Sequence, residues 1–252
     1  RAGYSASNAQ YANFIGWRAG YSASSGYAAN FIGFQAGYGA TSAQYSNFIG
    51  NNAGYSASFA STANFIGLNA GNGATNASVS NFIGWNAGWS ASRADYSNFI
   101  GYNAGFSAIN AHHSNFFGYN AGSGSYSASN SNFIGYNAGG GATNALSSNM
   151  IGIQTGYQAT SAHHSIFIGS SAGYQSTNAS YSIFLGDQAG YFGASSSNAV
   201  FIGSFAGDNV TNGPNSTFIG PYAGRYANAA SESVFIGHNA GYSATNAAYA
   251  NL

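Results

Sequence analysis

The chain of 252 residues carries very little charge. It has four arginines, four acidic residues and no lysine, and its formal net charge is zero. Nucleic-acid binding and attachment to anionic membranes both depend on clustered Lys and Arg, so we expect neither kind of partner. A net charge near zero favours association of protein molecules over their dispersal in solution. The composition therefore indicates a fibre or an assembly.

Cysteine and long apolar runs are also missing. Without cysteine no disulfide can stabilise the fold. No apolar run approaches the length of a membrane span, and no signal peptide is visible. The sequence starts at Arg1 and stops at Leu252 in mid-repeat, without the caps that a free solenoid needs. We expect a window of a longer protein, with no membrane span in the window.

One repeat of 17 residues fills the sequence. The tetrad Asn30-Phe31-Ile32-Gly33 returns in close variants, and its glycine recurs every 17 residues from Gly16 to Gly237 without insertion or deletion. We number this glycine as position 1 of the repeat, so the isoleucine that precedes the next glycine is position 17. A strict repeat of this kind predicts a single uninterrupted solenoid over residues 1–252.

Each repeat predicts short strands and tight turns. Two glycines and many Ser and Asn residues disfavour a helix. Positions 13–17, as in residues 45–49, predict one strand, and positions 6–9, as in residues 38–41, predict a second. The prediction is an all-β protein, a parallel β-solenoid or β-roll of fifteen 17-residue coils. Glycines at positions 1 and 5 are predicted to form its turns: Gly16, Gly20, Gly33, Gly37, Gly50 and Gly54.

The two large apolar columns cannot share one side of a strand. Neighbouring strand residues point to opposite faces, so Phe at position 16 and Ile at position 17 diverge. Alanines at positions 4, 8 and 11 indicate a narrow core. Position 15 changes late in the chain from Asn to Ile or Val, so we predict that positions 15 and 17 face inward and that Phe lies between chains. The predicted interface residues are Phe14, Phe31, Phe48, Phe65, Phe82, Phe99, Phe116, Phe133, Phe167, Phe184, Phe201, Phe218 and Phe235.

Aromatic residues recur at position 6. Tyr and Trp are enriched where proteins contact other surfaces, so this column is a candidate for recognition of a glycan or a protein receptor. Stacked aromatics also stabilise a solenoid without any ligand. A Ser/Thr column at position 9, which includes Thr41 and Thr75, adds ice binding as a further hypothesis. The candidate recognition residues are Tyr4, Tyr21, Tyr38, Tyr55, Trp89, Tyr157, Tyr174, Tyr191 and Tyr242.

Candidate catalytic and metal-binding groups are scattered. The acids Asp95, Asp187, Asp208 and Glu232 occupy four different positions of the repeat, whereas acid–base catalysis needs paired groups. We therefore predict no enzyme activity, no catalytic residue and no cofactor.

Histidine pairs occur at His112-His113 and His163-His164, both at positions 12 and 13. Three coils would separate the pairs by about 14 Å, too far to share an ion within one chain. Histidines of three chains could meet around a three-fold axis, but we interpret all four as exposed turn residues and predict no metal site.

Two segments carry a resemblance to known repeats: Ser182-Ile183-Phe184-Leu185-Gly186 and Ser233-Val234-Phe235-Ile236-Gly237-His238-Asn239-Ala240-Gly241. They resemble head repeats of trimeric autotransporter adhesins and the similar repeats of bacteriophage tail fibres that carry a C-terminal self-cleaving chaperone domain. The resemblance implies a left-handed β-roll, three chains around an axis and a role in surface attachment. The present repeat is longer, and Phe stands where adhesin heads usually carry Ala.

The sequence thus predicts a non-enzymatic, extracellular structural or adhesive fibre segment, the shaft of a cell-surface adhesin or of a virion appendage. Its expected partners are further copies of the chain, as a homotrimer or an end-to-end filament, and a cell-surface glycan or protein receptor. Two alternatives remain open: a self-polymerising extracellular filament, and a surface- or ice-binding solenoid.

Overall fold

The computed structural model describes residues 1–252, which form two compact units, Arg1–Ser125 (unit 1) and Tyr126–Leu252 (unit 2). The chain contains β-strands and no helix. Every strand covers positions 15–17 of its repeat. The strands of unit 1 are β1 (Asn13–Ile15), β2 (Asn30–Ile32), β3 (Asn47–Ile49), β4 (Asn64–Ile66), β5 (Asn81–Ile83), β6 (Asn98–Ile100) and β7 (Asn115–Phe117). Those of unit 2 are β8 (Asn132–Ile134), β9 (Asn149–Ile151), β10 (Ile166–Ile168), β11 (Ile183–Leu185), β12 (Val200–Ile202), β13 (Thr217–Ile219) and β14 (Val234–Ile236).

Neighbouring coils pair in parallel and in register. Phe48 lies opposite Phe65 in unit 1, and Phe167 lies opposite Phe184 in unit 2, each 17 residues apart. Position 9 adds single-residue parallel bridges, such as that between Thr143 and Thr160. The predicted all-β parallel solenoid with 17-residue coils is therefore confirmed.

The strands are shorter than the sequence predicted. The predicted strand at 45–49 is reduced to Asn47–Ile49, and the predicted strand at 38–41 is absent. The reason is the backbone at positions 13 and 7, where Tyr45 has φ of 57° and Gly39 has φ of 63°. Both values lie in the left-handed region, which interrupts an extended chain.

Left-handed residues form the corners of every coil. They occur at positions 3, 7, 10 and 13, as at Asn52, Ser56, Phe59 and Thr62. This conformation costs an L residue roughly 1–2 kcal/mol, and Asn tolerates it best among residues with a side chain. The preference explains why Asn recurs at positions 3 and 10.

The predicted turn glycines do have positive φ, 137° at Gly50 and 64° at Gly54. A Cβ on Gly50 would overlap the carbonyl oxygen of Gly67 in the next coil, and a Cβ on Gly54 would overlap the ring of Phe48. Position 1 therefore needs glycine for coil stacking, and position 5 needs it for contact with the core.

The core of each coil contains four small side chains and one ring. In most coils positions 4, 8, 11 and 14 carry Ala or Ser, and position 16 carries Phe. In one coil the five residues are fully buried: Ala53, Ala57, Ala60, Ala63 and Phe65. The rings of Phe48 and Phe65 stack with centroids 4.8 Å apart and planes 4° apart.

The predicted interface assignment of the Phe column is wrong. From Phe31 to Phe235 the twelve phenylalanines of the column are fully buried within one chain, and Phe14 in the first strand is partly buried. Position 17 points outward instead, and Ile49 remains 36% exposed. A flat ring fits between glycine and alanine columns at the spacing of the coils, whereas position 15 shares the outward side with position 17. The asparagines at position 15 in the first nine copies already indicated that this side meets water.

Polar ladders accompany the ring stack. The buried Ser46 hydroxyl donates to the carbonyl oxygen of Ala60 at 2.6 Å and accepts from the amide of Ala63 at 3.1 Å. On the outer side, Asn47 Nδ2 donates to Asn64 Oδ1 at 2.7 Å, and this pattern links position 15 from Asn13 to Asn115. The buried Ser46 hydroxyl is thereby satisfied within two coils.

We predict that Phe82→Ala destabilises the protein far more than Ile83→Ala. The first substitution removes a fully buried ring, which typically lowers the free energy of unfolding by roughly 3–5 kcal/mol. The second removes a side chain that still contacts water. The free energy of unfolding in urea measures both. If Ile83→Ala lowered the free energy of unfolding as much as Phe82→Ala or more, the assignment of the Phe column to the core would be wrong.

A second prediction compares two left-handed glycines of one coil, Gly71 with φ of 62° and Gly73 with φ of 67°. Gly73→Ala should lower the free energy of unfolding by about 1–2 kcal/mol, the cost of a left-handed backbone for a residue with a Cβ. Its Cβ would meet only Ser90 Oγ, at 3.5 Å, so no steric cost is added. Gly71→Ala should cost clearly more, because its Cβ overlaps the Phe65 ring. Thermal unfolding of the two variants gives the comparison, and equal losses would mean that ring contact does not determine position 5.

Candidate recognition surface

The predicted recognition residues form columns on the surface. In unit 1 the rings of Tyr4, Tyr21, Tyr38 and Tyr55 stack with successive centroid distances of 5.2, 5.0 and 5.0 Å. All four rings keep part of their surface in water. The structure brings neighbouring members of the column together because coils are in register, and within each unit it spreads the members over successive coils. The column is an extended surface and has no single centre.

The same column changes character elsewhere. Trp89 meets Phe106 edge to face at 5.7 Å in unit 1. In unit 2 the centroids of Tyr157 and Tyr174 are 5.5 Å apart, and those of Tyr174 and Tyr191 are 5.0 Å apart. Tyr242 stands apart from that stack and packs edge to face on Tyr226, which belongs to position 7.

A second aromatic column lies at position 2. Trp17 stacks on Phe34 at 4.7 Å, and Tyr102 stacks on Tyr119 at 4.8 Å. The guanidinium of Arg18 lies 4.3 Å from the centroid of the Trp17 ring and 5.6 Å from that of Tyr21, so it links the two columns. Cation–π contacts of this kind hold an arginine side chain in place. An open cleft of about 350 Å³ lies here, lined by Arg1, Tyr4, Trp17, Arg18 and Tyr21.

A larger open cleft of about 600 Å³ follows the corner at positions 12 and 13. Its lining residues are Tyr27, Gln44, Tyr45, Ser61 and Thr62. The Tyr27 ring packs edge to face against Tyr11 at 5.6 Å and against Tyr45 at 5.5 Å. Tyr11 and Tyr45 stand at position 13 and Tyr27 stands one position earlier, so none of the three belongs to the predicted position-6 column. A left-handed residue at position 13 brings the two positions onto one corner, and the 17-residue period does not reveal this.

The outward side chains of positions 15 and 17 form what we call the strand face. In unit 1 asparagine amides occupy position 15, so this face alternates polar and apolar columns. In unit 2, from β10 onward, both columns become largely apolar, and Ile168 is 40% exposed. Such an apolar face usually marks a contact with another molecule. Its aliphatic members are Ile166, Ile168, Ile183, Leu185, Val200, Ile202, Ile219, Val234 and Ile236.

One ion pair interrupts the position-6 column of unit 2. Arg225 Nε lies 2.8 Å from Asp208 Oδ2, and Asn209 Nδ2 donates to Asp208 Oδ1 at 2.6 Å. The carboxyl is almost inaccessible to water. Burial raises the pKa of Asp208 above its ordinary value, although the hydrogen bond and charge of Arg225 act in the opposite direction. The pair was not foreseen, since Asp208 and Arg225 share a column that is aromatic in most coils.

The Arg225 guanidinium also lies 4.6 Å from the centroid of the Phe205 ring and 4.7 Å from that of Tyr226. This arginine therefore contributes a cation to an aromatic patch, as Arg18 does in unit 1. The recurrence of Arg beside aromatic rings is a feature of the surface chemistry in both units.

The threonine column of the ice-binding hypothesis is in register over Thr143, Thr160 and Thr177, and the next residue of the column is Ala194.

The histidine pairs lie on corners, each with one partly exposed and one exposed ring. No group of three His, Cys, Asp or Glu side chains is placed to hold a metal ion.

The protein has no helix, and so it has no helical segment that could span a membrane. No protein-family model matches the chain, and no curated protein shows significant similarity to it. The architecture and its surface chemistry are therefore the basis for a functional conclusion.

Proposed function

We propose that the chain is a non-enzymatic structural segment of an extracellular fibre, which presents apolar and aromatic columns to other molecules. The observation that carries the proposal is the repetition itself. Within each unit, every coil contributes the same backbone pairing and the same buried ring or its Met150 equivalent to the next coil. A stack of this kind lengthens by adding coils and needs no other core.

The surface of the stack suits extended contact better than chemistry on a small substrate. Catalysis requires a nucleophile, an acid or a base that converge on one reacting atom. The most buried acid, Asp208, is engaged by Arg225 and Asn209. The aromatic side chains form columns in which successive rings are one coil apart. Such columns suit a contact made over many repeats.

We further propose that copies of the chain associate side by side through the strand face of unit 2. This face combines two aliphatic columns on a flat run of three-residue strands, and the chain has too little charge to keep such surfaces apart. Three copies around an axis is the arrangement that the resemblance to adhesin and tail-fibre repeats implies. The Phe column has no part in this contact, since it fills the core.

Association through the strand face predicts a solution mass near 77 kDa, about three times the chain mass of 25.6 kDa, by light scattering after size exclusion. The combined substitutions Ile168→Asn, Ile202→Asn and Ile219→Asn should reduce it to the mass of one chain, because they place amides in the contact. A matched control replaces three exposed aliphatic residues outside the face, Val79, Ile109 and Leu146, with Asn.

A monomeric wild-type chain, or three control substitutions that dissociate the assembly equally well, would contradict association through the strand face. A very large and heterogeneous mass would favour the end-to-end filament. Circular dichroism of both triple variants shows whether the fold survives.

The adhesive part of the proposal rests on the position-6 column, and its two interpretations predict different results. A stacked ring pair contributes about 0.5–1.5 kcal/mol of stability, so Tyr21→Ser, Tyr38→Ser and Tyr55→Ser together should lower stability in any case. If the column is adhesive, retention of the protein on glycan-coated surfaces should also fall, measured at a temperature where all variants are folded.

The control for the adhesion experiment changes three tyrosines at position 13, Tyr11, Tyr96 and Tyr181, to Ser. Unchanged retention of the position-6 variant, with reduced stability, would assign the column a purely structural role. Equal loss of retention in both variants would show that the contact is not specific to position 6.

A further inference from the structure

Each unit contains one pair of adjacent histidines whose rings face each other. In unit 1 the Nδ1 atoms of His112 and His113 are 3.1 Å apart, and in unit 2 those of His163 and His164 are also 3.1 Å apart. The two ring planes of a pair are nearly perpendicular, at 82° and 87°. The same geometry thus arises twice, each time within an Ala-His-His-Ser segment.

The backbone around each pair is held in place. His113 is left-handed with φ of 58°, and His164 has φ of 59°, which turns the position-13 ring back toward position 12. In unit 1 the amide of His113 donates to the carbonyl oxygen of Asp95 at 2.9 Å, and Ser114 Oγ donates to the carbonyl oxygen of His112 at 3.2 Å. In unit 2 the corresponding bonds join the His164 amide to Leu146 at 2.8 Å and Ser165 Oγ to His163 at 3.2 Å.

Stacking fixes one ring of each pair as well. The His113 ring lies parallel to Tyr96 with centroids 4.9 Å apart, and the His164 ring lies parallel to Tyr181 at 5.0 Å. The Tyr comes from the preceding coil in the first case and from the following coil in the second. Both pairs are therefore arranged before any ligand arrives, which lowers the cost of ordering on binding.

Two imidazole nitrogens at this separation can bind one metal ion. Without metal, one Nδ1–H donates to the other Nδ1, which requires two different tautomers. If each Nδ1 lay ~2.1 Å from one ion, the 3.1 Å separation would correspond to an N–metal–N angle of about 95°. That angle is close to the right angle between neighbouring ligands of tetragonal Cu(II) or Ni(II), and narrower than the tetrahedral angle of Zn(II).

We propose that each histidine pair chelates one divalent transition-metal ion through its two Nδ1 atoms, with Cu(II) preferred over Ni(II) and Zn(II). The preference follows the geometry and the general order of metal affinity for nitrogen ligands. Binding moves the proton of the donating ring to its Nε2, so both rings stay neutral. No third His, Cys, Asp or Glu side chain joins either pair, so the remaining coordination positions are open to water or to a donor on another molecule.

The test is calorimetric titration of the full chain with Cu(II), Ni(II) and Zn(II) at neutral pH. We expect two Cu(II) ions per chain, bound more tightly than the other metals. His113→Ala and His164→Ala should each remove one binding event, weakening Cu(II) at that pair by at least about tenfold, and the double variant should remove both. His238→Ala is the matched control, because this histidine lies at position 2 without a histidine neighbour, and it should leave both events unchanged.

A peptide of residues 109–116 provides the second comparison, because it contains the same two histidines without the corner. The protein should bind Cu(II) at least about tenfold more tightly than the peptide, since preorganisation removes the ordering cost. Equal affinities would overturn the proposal that the fold builds the site. Binding that is absent, or that survives in the double variant, would overturn the chelation itself.

Discussion

The fold depends on one repeated contact, the stack of aromatic rings at position 16. Each ring contacts the glycine at position 5. It also stacks on the equivalent rings of the neighbouring coils, with centroids 4.8 Å apart for Phe65 and Phe82. In most coils four small, buried side chains surround it. The ring stack therefore sets the thickness of the coil, and Met150 shows that an unbranched side chain of similar length can take the same place.

The corners follow from this thin core. A 17-residue coil must turn often, and it does so with left-handed residues whose amides bond to the preceding coil, as the Ser56 amide does with the carbonyl oxygen of Tyr38 at 2.7 Å. These inter-coil bonds offset the conformational cost of the corners, because they satisfy backbone groups that would otherwise lack partners. The exposed corner residues carry much of the chemistry of the surface, including the Tyr27 cleft and the histidine pairs.

The outward positions vary while the core stays constant. Position 15 carries a ladder of amides in unit 1 and mainly aliphatic side chains in unit 2 after β9, on the same backbone. Position 6 carries tyrosine stacks in both units and an ion pair at Asp208 and Arg225. One backbone pattern thus presents polar, aromatic and aliphatic columns to its surroundings without any change of fold.

The 17-residue period, the glycines at two fixed positions and the many Ser and Asn residues that disfavour a helix determined the solenoid, its coil length and its turns from the sequence by itself. They did not determine which of Phe48 and Ile49 points inward, because strand alternation separates the two residues and is satisfied equally well by either choice. The tertiary structure decided it, since only the ring fits the flat space between the Gly54 backbone and the alanine columns. The tertiary structure also decided that Tyr27 joins Tyr45, and that His112 and His113 face each other across 3.1 Å, because the left-handed backbone at position 13 brings neighbouring residues onto one corner.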